Sequence, residues 1–127
     1  MIGKHYIRGW SKTQAVISLS SGESELAGIV RGTCEAIGAR SISKDLGKDL
    51  EGVVLTDSSA ALSMTGRVGA GKIRHLDTSM LWVQHKQARG EVEYQKVLGS
   101  NNMADLWTKY VDHNVRNKRM IQIGFRY

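Results

Sequence analysis

Proline is absent from these 127 residues, and cysteine occurs once, at Cys34. A lone cysteine excludes an internal disulfide framework and every multi-cysteine zinc site. No apolar run approaches the roughly 20 residues that a membrane span needs, so no membrane partner is expected. The opening Met-Ile-Gly-Lys-His-Tyr has no apolar core and does not read as a secretory signal. Repeats, low-complexity tracts and obvious linkers are missing too, so the chain reads as one unit. What is present is ordinary for a globular chain: 41% hydrophobic and 24% charged residues, which sets aside wholesale disorder. Lys and Arg number 18 against 12 Asp and Glu, a net charge of +6. That balance favours a polyanionic partner and leaves the fold open.

Residues 6–10 and 15–19 are strand-like, the second with Ala15, Ile17 and Leu19 on one face. Ser20-Ser21-Gly22-Glu23 has the form of a capping box, with Ser20 as the cap. Leu26, Val30, Thr33 and Ile37 then form a helical stripe running toward Leu46, and Gly47 is placed to stop it. Gly28 and Gly32 share the face of Glu25, which suggests close backbone packing there. Cys34 is expected to pack among apolar neighbours.

Gly52-Val53-Val54-Leu55-Thr56 is a continuous apolar run of the kind buried on both faces of a sheet. Asp57 closes it, and residues 58–64 read as a short helix. A glycine-rich loop, residues 66–71, precedes a second long helix from about His75 to Ala88, with Leu76, Met80 and Val83 as its stripe. Val92 and Tyr94 alternate with Glu93 and Gln95 in a last strand. A final helix from about Asn101 would align Met103, Leu106, Trp107, Tyr110 and Val111. Strands alternating with helices predict an α/β fold.

Gly66-Arg67-Val68-Gly69-Ala70-Gly71-Lys72 approaches the phosphate-binding loop pattern, but Ile73 stands where Ser or Thr must hold magnesium, and a helix precedes it instead of a strand. The acids are more informative. Glu25 lies in the first turns of a helix, Asp57 ends a strand, and Asp105 sits early in the last helix. Strand ends are where ligands collect in α/β sheets, and converging hard oxygens are what a two-metal site needs. Bland roles compete: Glu23 as a capping residue, Asp57 as a helix cap, Asp105 as a solvated helix acid. Five basic residues (Arg67, Lys72, Arg74, Lys86, Arg89) face one acid, Asp77, between Arg67 and Gly90. Such a patch neutralises phosphates, or is simply a solvated face. Arg116, Lys118, Arg119 and Arg126 form a second basic group. His75 and His85 lack zinc spacing.

Four segments, in order, give the chain a family likeness. They are Trp10-Ser11-Lys12-Thr13-Gln14 with Ile17 to Leu26, then Leu55-Thr56-Asp57-Ser58-Ser59-Ala60-Ala61, then Arg74-His75-Leu76-Asp77, then Asn102-Met103-Ala104-Asp105-Leu106-Trp107-Thr108-Lys109. Together they resemble the ribonuclease H domain of copia-type LTR retrotransposon Pol polyproteins, across most of the chain. The resemblance implies a ribonuclease H-like mixed sheet with flanking helices. It implies that Glu25, Asp57 and Asp105 match three of four carboxylates holding two Mg²⁺ ions for hydrolysis of RNA in RNA–DNA hybrids. It makes Arg67, Lys72, Arg74, His75, Lys86 and Arg89 the expected nucleic-acid contacts. The implied partners are the hybrid and the reverse transcriptase region upstream, in an intracellular setting (cytoplasm or nucleus).

The chain also departs from the family. Leu81 and Gln84 stand where the family often has His and Arg, and the Trp10 motif is one residue short. The family's first carboxylate has no counterpart, because residues 1–22 contain neither Asp nor Glu. The expectation is therefore a domain lacking the family's first two strands over residues 1–112, then a basic tail over 113–127. As an isolated chain it is expected to be inactive, with Mg²⁺ bound weakly or not at all. The competing expectation is a non-catalytic remnant with weak nucleic-acid binding.

Overall fold

In a computed structural model of the chain, residues 1–11, 21–67 and 77–125 are described. The protein is mixed α/β and divides into two compact units, one of Gln14–Gly99 and one of Met1–Thr13 with Ser100–Tyr127.

In the larger unit, α1 (Ser21–Asp45) is followed by β1 (Val53–Thr56), α2 (Ser59–Thr65), α3 (Asp77–Ala88) and β2 (Glu93–Lys96). The apolar spacing of α1 predicts its buried side, where Leu26, Ile29 and Thr33 are buried and Val30 and Ile37 pack against the core. Gly47 stops it as expected. At φ +82° it takes the left-handed turn, with Lys48 N–H donating to the Ser43 carbonyl (2.9 Å) and Gly47 N–H to that of Lys44 (3.0 Å). Gly90 (φ +67°) ends α3 by the same pair of bonds, from Glu91 to Lys86 and from Gly90 to Gln87. The cap of α2 is Ser58, not Asp57: its hydroxyl accepts from Ala61 N–H at 3.2 Å.

Strands β1 and β2 pair in parallel, Val53 opposite Glu93 through Thr56 opposite Lys96. The chain crosses between them by way of α2 and α3, the connection that parallel pairing requires. Ile29, Ala61, Val83, Val92 and Tyr94 form the main core, and Leu26, Met64 and Met80 a second cluster joining α1, α2 and α3. Each such burial stabilises by about 1.5–3 kcal/mol for a Val- to Met-sized side chain. A polar tie crosses the main core. The Thr33 hydroxyl donates to the Ile29 carbonyl (2.7 Å), which leaves its oxygen to accept from the Tyr94 hydroxyl at 2.9 Å.

Three expectations are corrected here. Among the described residues the β1 run is covered on one face: Val53 is 42% and Leu55 57% exposed, and helices of the unit pack against the side carrying Val54 and Thr56. Cys34 is exposed, since one residue past buried Thr33 the helix has turned about 100° toward solvent. Residues 6–10 are not a strand, and an isolated bridge between Ile2 and His5 precedes them. The second strand-like run, residues 15–19, and the cap Ser20 lie outside the described residues.

The single final helix is also corrected. A 3-10 turn (Gly99–Asn101) leads to the short α4 (Asp105–Thr108); Lys109 is extended, and α5 (His113–Gln122) starts afresh from an Asp112 cap. The basic segment 113–127 is thus largely helical.

Candidate functional site

Asp57 follows the last residue of β1, at the carboxyl end of the parallel pair. The backbone there is held on both sides. Ser58 N–H donates to the Thr56 hydroxyl (3.1 Å), and Val97 N–H donates to the Thr56 carbonyl (2.9 Å). Gly99 comes close from the segment after β2, so that a Cβ on it would stand 3.6 Å from Asp57 Oδ2. Lys96, at the corresponding end of β2, has its ammonium on the Ser59 hydroxyl. The neighbourhood therefore supplies one carboxylate, a cation and two hydroxyls at a strand end, where ligands bind in α/β sheets.

At the start of α1, Glu23 is buried and Glu25 exposed. Burial thus falls on the acid that the sequence makes a capping residue. Asp105 opens α4 with its side chain only 13% exposed, and it is already answered by two cations. Lys109 Nζ lies 3.0 Å from one carboxylate oxygen and the Arg119 guanidinium 3.7 Å from the other. Buried Arg119 also donates to the Ser100 carbonyl at 2.8 Å.

A two-metal centre needs several carboxylates converging with room for the cations. Among the described residues no three His, Cys, Asp or Glu side chains form a group able to hold a metal ion, and Asp105 is charge-balanced by the protein itself. Asp105, with two cations on its carboxylate, does not as it stands fit a ligand of a resident Mg²⁺ ion.

Of the expected nucleic-acid contacts, Lys72, Arg74 and His75 lie outside the described residues. Arg67 is exposed just past α2. Lys86 and Arg89 share one carboxylate that the sequence reading did not single out: Glu91 lies 2.7 Å from Lys86 Nζ and 3.2 Å from Arg89 Nε. The hydrogen bond from Lys86, with the charges of Lys86, Arg89 and His85, holds the Glu91 carboxyl below the usual carboxylate range against a smaller opposing effect of burial. Lys86 also sits 5.9 Å from the Trp82 ring centre. Gln84, one of the family departures, is buried and donates to the Met64 carbonyl at 2.9 Å, tying α3 to α2; Leu81 is exposed.

The opposite end of the sheet has a groove of about 630 Å³ that includes Arg40, Asp49 and Gln87 in its lining. Arg40 bridges Asp49 (3.3 Å) and the Glu91 carbonyl (3.0 Å) there. No sequence signal marks this groove, because its members come from three separate stretches of the chain, 40, 49–52 and 87–93.

No family model, curated protein or solved structure matches this chain. Among the described residues, no helix is long and apolar enough to cross a membrane.

Proposed function

We propose that the chain is a ribonuclease H-like segment of a copia-type retrotransposon Pol polyprotein that, on its own, binds RNA–DNA hybrid without cutting it. The observation that supports this reading most is the position of Asp57. It stands at the carboxyl end of a strand that crosses through two helices to a parallel neighbour. Two Mg²⁺ ions belong to the family's complete site, and this chain holds them weakly or not at all. Its first 22 residues offer no carboxylate, and Asp105 is engaged by Lys109 and Arg119. The reading makes the upstream reverse transcriptase region the partner and the setting intracellular.

The test uses labelled RNA annealed to DNA, in Mg²⁺ buffer. The chain alone is expected to retard the hybrid with an affinity that falls steeply with salt, and to leave the RNA whole. Adding a polypeptide that carries the family's first two strands and first Asp is expected to start cutting, and Asp57→Asn to return it to background. Binding that ignores salt, or cutting that survives Asp57→Asn, contradicts the proposal. Binding with no cutting even after complementation favours the second reading, a non-catalytic remnant, which the charge-balanced Asp105 supports.

A further inference from the structure

The net charge is not spread over the molecule. The smaller unit, Met1–Thr13 with Ser100–Tyr127, has eight Lys and Arg against two acids, which accounts for the whole +6; the larger unit has ten of each and is neutral. Both acids of the smaller unit are used internally. Asp105 pairs with Lys109 and Arg119, and the Asp112 side chain caps α5 by accepting from Asn114 N–H at 3.1 Å. Lys4, Arg8, Arg116 and Lys118 are all exposed.

Aromatic rings concentrate in the same unit, which has six of the chain's eight. Tyr6 stacks on Trp107 with ring centres 5.5 Å apart and planes 6° from parallel, and Phe125 tilts against Tyr6 at 5.9 Å. Gly9 lets the chain pass this stack, since a Cβ there would collide with the Tyr6 hydroxyl and press on the Trp107 ring. Trp10 is 41% exposed with the Arg8 guanidinium 5.8 Å from its ring centre, and Tyr110 is fully exposed. Exposed ring faces among exposed cations are what unpaired bases and their phosphates recognise. A duplex keeps its base faces stacked and offers such rings nothing.

We propose that the unit formed by the two chain ends is a binding surface for single-stranded nucleic acid, with Trp10 and Tyr110 stacking on bases and Lys4, Arg8, Arg116 and Lys118 on phosphates. This surface uses none of the residues of segment 67–89 and does not depend on the ribonuclease H reading; failure of hybrid cutting leaves it standing.

The full chain is titrated into a fluorescein-labelled oligo-thymidine strand, a hairpin duplex with as many phosphates, and vesicles of equal parts phosphatidylcholine and phosphatidylserine. The strand is expected to bind tighter than the hairpin, with a log–log salt slope of about −3 for four phosphates. Tyr110→Ala, at a side chain wholly in solvent, is expected to weaken strand binding by about 5- to 150-fold with an unchanged thermal melt. Arg116→Gln and Lys118→Gln are each expected to flatten the slope by about 0.7. Equal or tighter binding of the hairpin, no effect of Tyr110→Ala, or binding to the vesicles alone overturns the proposal.

Discussion

Thr33 and Tyr94 show how a polar pair is made tolerable inside a small core. Removing the Tyr94 hydroxyl leaves Thr33 still bonded to Ile29, so Tyr94→Phe is expected to cost only about 0.5–1.5 kcal/mol in urea unfolding. Thr33→Val strands a buried hydroxyl and is expected to cost more, about 1–3 kcal/mol. Burial raises the Tyr94 pKa above its ordinary value of 10.0. The folded state thus holds this proton more tightly than the unfolded chain. The contribution is complete below about pH 10 and is lost as pH rises through the folded value. Tyr94→Phe is expected to abolish that alkaline loss. Glu91 has the opposite sign: its lowered pKa gives stability that is present above the unfolded value and lost as pH falls through the folded one. Glu91→Gln also frees Lys86 and Arg89. If the segment 67–89 meets the hybrid, this variant tightens binding and steepens the log–log salt slope by as much as about 2, as titration at several salt concentrations reads directly. An unchanged slope removes those two residues from the interface.

Elements were legible where a local period had one partner to face. Val92 and Tyr94 alternate with exposed Glu93 and Gln95, and β2 buries that side. Met80 and Val83 lie on the buried side of α3, as their spacing predicts. Met80 meets Leu26 and Met64, so Met80→Ala leaves a cavity shared by three helices and is expected to cost about 2–5 kcal/mol in denaturant unfolding. What the pattern does not encode is how many layers surround an element. Val53-Val54-Leu55 has the composition of a doubly buried strand, but α-helical packing covers one side. Nor does a stripe reveal where a helix stops. Met103 to Val111 has helical spacing, but Lys109 is extended and the Asp112 cap nucleates a separate helix. Glu91 was invisible as a site residue because its role depends on Lys86 and Arg89 converging on it at the turn after α3.

At the scale of the whole molecule, the +6 balance has a definite address that the order of residues conceals, because the two ends of the chain make one unit. The motifs that resemble ribonuclease H were readable as a string. The pairing of Asp105 with Lys109 and Arg119 was not, since Arg119 lies beyond the last motif and reaches it only through α5. The central claim is that Asp57 belongs to a hydrolytic site this chain does not complete alone. The most direct measurement is Mg²⁺-dependent cutting of an RNA–DNA hybrid by the chain, with and without a polypeptide supplying the family's first strands and Asp. The account predicts an uncut RNA for the chain alone, cutting on complementation, and none after Asp57→Asn; cutting by the chain alone, or cutting that survives Asp57→Asn, contradicts it.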